Sequence, residues 1–264
     1  MALTLQTYST VADAGAALKA PATRYMGGGT LAVRAANEGD LSFSTLIRAT
    51  DPALSRIEIA GRRATIGAGV TMAAVAAHSG LSTIASAARA VGGPAVRNQA
   101  SVGGNLFAAS PYGDFAVALL ALDATVHSAS GEMPIDAFLS ARDTFAGIVT
   151  AVSFDVPRDG RFRFVKVSRV KPKGVSVLSI AAVIEEDGEG RITSARIGLG
   201  CMADRPMRAR AAEAALVGCT RTAEGIAAAL AVVGEGTSPP TDAVASAWYR
   251  AEVLPVHLRR LLLA

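Results

Sequence analysis

The chain has 264 residues, of which 51% are apolar and 18% are charged, so it is long enough and apolar enough to bury a globular core. The formal net charge of +4 is modest, and the only dense basic run lies at 158–173, which argues against a nucleic-acid-binding protein. Two cysteines, Cys201 and Cys219, and three scattered histidines exclude a cysteine-built cluster and predict no metal site. We expect both cysteines to be buried free thiols.

Nothing in the chain predicts targeting to a membrane. The first eight residues lack the basic stretch followed by an apolar run that defines a signal peptide. The uncharged stretch 64–88 is interrupted too often by Gly, Ser and Thr, and the apolar stretch 175–184 is too short to cross a bilayer. We therefore expect a soluble, cytoplasmic protein with no membrane span.

Short strands alternate with helices through the first 128 residues. The sequence pattern predicts helices at 9–20, 31–37, 71–78, 83–91 and 111–122, and strands at 24–26, 42–47, 56–60, 64–67 and 124–128. Glycines and a proline interrupt the stretch 92–110, which is predicted to be irregular.

The character of the chain changes at the turn-rich sequence 157–160. Strands are predicted to dominate 161–200, where 175–184 and 191–199 flank a turn at Asp187-Gly188. Helices are predicted at 207–217, 223–233 and 242–263. We therefore place a domain boundary near Arg158.

Two glycine clusters, at 27–30 and 101–105, are candidates for an anion site. Glycine allows backbone N–H groups to approach a ligand without a Cβ in the way, and Thr30 and Ser101 add hydroxyl groups. Two such loops can hold a pyrophosphate from both sides. The alternative is that each cluster only forms a turn.

A long stretch without acidic residues supports the binding interpretation. No Asp or Glu occurs between Ile59 and Gly113, whereas the same stretch holds Arg62, Arg63, Arg89 and Arg97. Because carboxylates would repel a multiply anionic ligand, an acid-free lobe favours one. Chance depletion in an alanine-rich region is the alternative.

A third glycine-rich segment, IGAGVTM at 66–72, resembles the start of a dinucleotide-binding fingerprint. Its third glycine position is occupied by Met72, and no acidic residue follows at the distance needed to hold a ribose. A nicotinamide site is therefore not predicted here.

Asp114 and Lys166 are the two charged side chains with a candidate role. Asp114 follows Ser110-Pro111, which has the features of a helix start, so it either stabilises that helix or accepts hydrogen bonds from sugar hydroxyls. In an extended strand Lys166 shares a face with Phe162 and Phe164. A lysine there needs a partner, a bulge or a ligand. From the sequence we expect Lys166→Met to cause little loss of packing.

Nine segments, in order and spread over nearly the whole chain, resemble the FAD-binding medium subunits of bacterial molybdenum hydroxylases, such as carbon monoxide dehydrogenase and xanthine dehydrogenase. These are MGGGT (26–30), IGAGVT (66–71), RNQASVGGN (97–105), ASPYGD (109–114), ALLALD (118–123), KVSR (166–169), VLSIAA (177–182), AWYR (247–250) and LRR (258–260). The chain departs from the family at Gly27, at Leu31 and in the segment 171–175, which lacks an expected Asp.

The resemblance implies an FAD site without a catalytic side chain or a metal ligand in this chain. It places the pyrophosphate between the two glycine clusters, Asp114 near the ribityl or phosphate region, and Lys166 and Val149 beside the isoalloxazine. The implied FAD-contacting residues are Arg24, Met26, Gly27, Gly28, Gly29, Thr30, Leu31, Ser101, Val102, Gly103, Gly104, Asn105, Asp114, Val149 and Lys166.

The fold implied by the resemblance is of the α+β class. It consists of a two-lobed PCMH-type FAD-binding domain at 1–158, whose lobes divide near residue 51, and a C-terminal domain at 159–264. The C-terminal domain is expected to contain a three-stranded antiparallel sheet plus helices.

The function implied by the resemblance is that of an FAD-carrying electron-transfer subunit of a heteromeric oxidoreductase. A large molybdenum-binding subunit and a small [2Fe–2S] subunit would be its partners, as a dimer of heterotrimers. The chain would take electrons from the iron–sulfur clusters and pass them to an external acceptor. Two alternatives remain: a stand-alone FAD-dependent oxidoreductase of the same fold, and a non-catalytic nucleotide-binding module.

Overall fold

A computed structural model describes residues 3–170 and 174–264 of the chain. The departure from the family at 171–175 therefore lies partly outside the described residues. None of the helices in the described ranges is long and apolar enough to cross a membrane.

Residues 3–49 form a small lobe around a parallel three-stranded sheet. Its elements are β1 (Thr4–Tyr8), α1 (Val11–Ala17), β2 (Thr23–Tyr25), α2 (Ala32–Asn37) and β3 (Thr45–Ala49). The central strand β3 pairs in parallel with both β1 and β2. Because strand β2 leads into the first glycine cluster and α2 follows it, this sheet determines where the cluster lies.

The second lobe contains a five-stranded antiparallel sheet and most of the helices. Its elements are β4 (Ile57–Ala60), β5 (Arg63–Gly67), α3 (Met72–Ala77), α4 (Ala85–Ala90), α5 (Pro94–Arg97), α6 (Val102–Leu106), α7 (Asp114–Ala121), β6 (Thr125–Ser128), β7 (Gly131–Pro134), α8 (Ile135–Ala141) and β8 (Val149–Asp155). The strand order is β4-β5-β8-β6-β7. The supposedly irregular stretch 92–110 thus includes two short helices, α5 and α6.

The C-terminal part of the chain is a four-stranded antiparallel sheet with three helices packed on it. Its elements are β9 (Phe162–Ser168), β10 (Ser176–Glu186), β11 (Ile192–Gly200), β12 (Met207–Arg208), α9 (Arg210–Leu216), α10 (Ala227–Val232) and α11 (Ala247–Leu263). The strand order is β12-β11-β10-β9.

The α+β class is confirmed, whereas the expected three-stranded sheet has a fourth strand. Met207 and Arg208, predicted to begin a helix, pair instead with Leu199 and Gly198 of β11. A buried ion pair fixes this arrangement, because Arg208 Nη2 donates to Glu213 Oε2 at 2.8 Å and Glu213 Oε1 accepts from the N–H of Ile197. The helix therefore begins only at Arg210.

Helix α7 joins the second lobe to the C-terminal sheet. All eight of its residues are buried, and a Cβ at Gly198 of β11 would overlap the carbonyl oxygen of Val117 on the helix. The helix begins at Asp114 after Gly113, which has φ = +89°, and not at the predicted Ser110-Pro111. This close packing directs Asp114 toward the C-terminal domain.

Candidate functional site

The first glycine cluster follows strand β2 and lines one wall of a cleft. Met26, the residue before the cluster, is hydrogen-bonded to the sheet, because its N–H donates to the carbonyl of Ile47 at 2.8 Å. The next four residues, Gly27, Gly28, Gly29 and Thr30, line a cleft of about 820 Å³. Within the described ranges, none of these four backbone N–H groups has a hydrogen-bond acceptor in the protein. Consecutive free donors of this kind form a concave anion site.

The second glycine cluster lies directly against the first. A Cβ on Gly27 would come within 2.7 Å of Ser101 Oγ, and a Cβ on Gly28 would overlap the carbonyl oxygen of Gln99. Position 28 therefore requires glycine for the two lobes to approach so closely, whereas at Gly27 the contact is with a serine hydroxyl, which can rotate away. The structure thus brings together the two clusters that the sequence placed about 70 residues apart.

The second cluster is a capped helix and not an open donor loop. Ser101 caps α6, because its Oγ accepts from the N–H of Gly104 at 3.2 Å. The N–H groups of Val102 and Gly103 donate to the carbonyls of Val70 and Ala68. The roles of Val102 and Gly103 in FAD binding stay predictions, but their N–H groups, like that of Gly104, are already hydrogen-bonded within the protein.

Those carbonyls belong to the segment 66–71 that resembled a dinucleotide fingerprint. Its glycines pack on the neighbouring backbone, since a Cβ on Gly67 would overlap the Leu54 carbonyl oxygen and one on Gly69 would lie 2.9 Å from it. The segment therefore acts as a support beneath α6. This packing explains its glycines without a nicotinamide site.

Asn105 links the second glycine cluster to helix α7. Its side chain is buried, and its Oδ1 accepts from the N–H of Ala116 in the first turn of α7 at 2.9 Å. The second cluster is thereby tied to the helix that begins with Asp114.

Asp114 and Lys166 form a buried ion pair between the second lobe and the C-terminal domain. Lys166 Nζ lies 2.8 Å from Asp114 Oδ2, and the two side chains are 13% and 7% exposed. Lys166 Nζ also donates to the carbonyl of Ala90 at 2.9 Å, and Ser176 Oγ donates to Asp114 Oδ1 at 2.6 Å. Strand parity correctly indicated that Lys166 needs a partner, and the partner is the other charged residue singled out from the sequence.

Cys201 lies beside this network. Burial, and after it the negative charge of Asp114, raise the pKa of the Cys201 thiol to about 11, so the thiol is protonated at neutral pH. Both cysteines are free, but Cys219 is only partly buried, so the expectation of two buried thiols holds for Cys201 alone.

Ten of the fifteen predicted site residues are not among those that line the cleft: the five residues of the second glycine cluster (101–105), Asp114, Lys166, Arg24, Leu31 and Val149. Arg24 donates to Asp40 Oδ2 and Ser42 Oγ, both at 3.1 Å, and its guanidinium stacks on a neighbouring phenylalanine ring. Leu31 lies at the start of α2 on the surface, and Val149 is buried at the start of β8.

Other cleft residues were not identified from the sequence. They include Arg34, Glu38, Arg48, Asp51 and Gln99. The acid-free stretch contributes Gly69, Thr71 and Gln99 to the lining of the cleft. Two carboxylates, those of Glu38 and Asp51, also lie in this lining. The four arginines of the acid-free stretch lie outside the cleft and donate to protein oxygens, so they supply no charge to its lining.

The fold and the cleft define an α+β protein with a concave, donor-rich site between two lobes. Residues 2–156 match the family model described as the FAD binding domain in molybdopterin dehydrogenase, and residues 163–264 match the CO dehydrogenase flavoprotein C-terminal domain. The chain belongs to this family, and the resemblance stated from the sequence is confirmed.

Two curated relatives are similar to part of the chain. The glyceraldehyde dehydrogenase medium chain of Sulfolobus acidocaldarius is 30% identical over 181 residues, covering 64% of this chain and 63% of the relative. The nicotinate dehydrogenase FAD-subunit of Eubacterium barkeri is 31% identical over 178 residues, covering 63% of this chain and 60% of the relative. The matched region thus spans less than two thirds of either relative.

The fold is also that of solved structures. A chain of the carbon monoxide dehydrogenase from Hydrogenophaga pseudoflava superposes with a TM-score of 0.89, covering 99% of this chain and 96% of that one, at 22% identity. A chain of the quinoline 2-oxidoreductase from Pseudomonas putida 86 superposes with a TM-score of 0.83 at 22% identity, covering 100% of this chain and 96% of that one.

Proposed function

We propose that this chain is the FAD-carrying electron-transfer subunit of a heteromeric molybdenum hydroxylase. It would take electrons from [2Fe–2S] clusters on a small partner subunit and pass them to an external acceptor. A large molybdenum-binding subunit completes the proposed complex, as a cytoplasmic dimer of heterotrimers. The division into domains at 1–158 and 159–264, with lobes divided near 51, belongs to the same proposal.

The observation that carries the proposal is the run of free backbone donors in the cleft. Four consecutive N–H groups, from Gly27 to Thr30, have no acceptor among the described residues, and these four residues line a cavity in the size range of small-molecule sites. A pyrophosphate supplies the acceptor oxygens that these donors lack. The residues present therefore fit FAD, within a family model that describes an FAD-binding domain.

The chain's own contribution is binding, orientation and electrostatics. Gly27–Thr30 would hold the phosphates, with Ser101 and Gly104 at the adjacent face, and the Asp114–Lys166 pair would lie toward the flavin end. FAD, when bound, supplies redox chemistry that no side chain of this protein offers. The buried ion pair carries almost no net charge. We therefore expect it to hold the neighbouring elements in position more than to alter the electrostatic potential at the flavin end.

The identity of the cofactor is the first test. We expect the purified or reconstituted full-length chain to release FAD, and not FMN, when it is heated, because a run of donors suited to a pyrophosphate distinguishes the dinucleotide. Chromatography of the released flavin measures this. FMN, or no flavin after reconstitution, would contradict the proposal.

Gly104→Val tests whether the second cluster faces the ligand. A Cβ at Gly104 has only one protein atom nearby, Ser101 Oγ at 3.1 Å, so the fold should persist. We expect FAD binding to fall by roughly tenfold or more, as for loss of one or two hydrogen bonds to a charged group, because the side chain would fill space that the ligand uses. Flavin content and circular dichroism of the variant check both parts. Full flavin content would mean that the ligand lies away from Gly104.

A further inference from the structure

A polar contact joins helix α2 of the first lobe to the segment of the second lobe that precedes α7. Arg34 Nη1, on α2, donates to the hydroxyl oxygen of Tyr112 at 2.7 Å, and the guanidinium carbon lies 5.9 Å from the centre of the tyrosine ring. Arg34 Nε donates to Glu38 Oε1, one helical turn along, at 2.7 Å. The carboxylate therefore orients the guanidinium toward Tyr112.

The two residues belong to elements that carry the two ends of the site. Helix α2 follows the first glycine cluster directly, and the N–H of Val33 donates to the carbonyl of Gly29, so Arg34 moves with that cluster. Tyr112 lies two residues before Asp114, in the segment that leads into α7. Arg34 also lines the cleft itself. The contact thus connects the predicted phosphate end with the predicted flavin end.

The lobes also meet nearby, where Gly27 and Gly28 lie against Ser101 and Gln99. Ile47 and Ala49 of the first lobe belong to the same hydrophobic cluster as the core of the second lobe. The Arg34–Tyr112 contact adds a charged hydrogen bond to these contacts. Separation of α2 from the segment before α7 requires this bond to break.

We infer that Arg34 and Tyr112 form a clasp that retains FAD between the two lobes and slows its dissociation. The inference rests on the proposed function, since it assumes that FAD occupies the cleft. Both residues act on the cofactor by holding the walls together, so they are positioning residues. Their effect is expected in the rate of flavin release and not in the fold.

The decisive variant is Tyr112→Phe, which keeps the ring and removes only the hydroxyl oxygen. In the full-length chain loaded with FAD, we expect release to accelerate about three- to tenfold, the size expected for one lost hydrogen bond between exposed side chains. Release is followed as the rise in free-flavin fluorescence after dilution of the loaded chain to a concentration far below its dissociation constant. Tyr249→Phe, at an exposed tyrosine on α11, is the matched control and should leave the rate unchanged.

A second pair of variants separates the clasp from a direct contact between Arg34 and FAD. Arg34→Met should accelerate release to a similar extent, and adding Tyr112→Phe to it should have no further effect, because the bond is already absent. A release rate for Tyr112→Phe within twofold of wild type would overturn the clasp, as would additive effects of the two substitutions. If the wild-type chain takes up no FAD, the proposed function itself fails.

Discussion

Lys166→Met is expected to lower the free energy of unfolding by about 3–5 kcal/mol, the cost of leaving one member of a buried ion pair without its partner. Asp114 is 7% exposed and would keep only the hydroxyl of Ser176. From the sequence, this substitution was expected to cost little packing. That expectation concerned packing alone. The pairing with Asp114 adds a larger cost, because methionine keeps the stem but leaves the Asp114 carboxylate without its partner.

The double variant Lys166→Met/Asp114→Asn distinguishes a charge effect from a packing effect. With no buried charge left, it should recover much of the stability lost by the single variant, giving a coupling energy of roughly 1–3 kcal/mol. Urea denaturation of wild type, of the single variants Lys166→Met and Asp114→Asn, and of the double variant measures the cycle. Lys19→Met, at an exposed lysine, is the control and should change stability by no more than about 0.5 kcal/mol. A single variant as stable as wild type would show that the pair is not a buried one.

The same variants report on the proposed position of the flavin. If the pair lies beside the isoalloxazine, Lys166→Met leaves a net negative charge there, so the reduction potential of bound FAD should fall. In the double variant the potential should return toward the wild-type value. A potential unchanged in all variants would leave the pair as a link between the second lobe and the C-terminal domain only.

The sequence predicted those parts of the site that depend on local chemistry. Glycines at 27–30 and 101–105 indicated close backbone approach, and the structure brings them together through Gly27 and Gly28. Strand parity placed Lys166 on an apolar face and so indicated a missing partner. Local patterns of this kind predict the structure because backbone conformation and strand alternation are determined within a few residues.

The sequence could not predict contacts that depend on how distant elements pack. Asp114 and Lys166 are each explicable alone, and only the packing of α7 against the C-terminal sheet makes them partners. The sequence predicted two glycine clusters with N–H groups available to a ligand, but the N–H groups of Val102 and Gly103 donate to carbonyls of the segment 66–71. The two-residue strand β12 could not be predicted from the sequence, because a buried Arg208–Glu213 pair, and not strand propensity, holds it in place.

Gly28→Ala is expected to weaken FAD binding by roughly ten- to a hundredfold and to cost about 1–3 kcal/mol of stability, the range for an overpacked site. A single added methyl group would overlap the carbonyl oxygen of Gln99, which is backbone and cannot rotate away. The first glycine cluster, which carries the free backbone N–H groups, would have to move away from the second cluster at Ser101. Binding and stability should therefore fall together.

Gly15→Ala is the matched control, because it adds the same methyl group within helix α1, where no atom lies within 4 Å of the new Cβ. That variant should bind FAD normally and be as stable as wild type or more stable by up to about 1 kcal/mol, since alanine favours the helix. Flavin titration and thermal denaturation of both variants provide the measurements. Unchanged FAD affinity in Gly28→Ala would mean that the lobes accommodate the methyl group. The contact between the two glycine clusters would then have no part in holding the ligand.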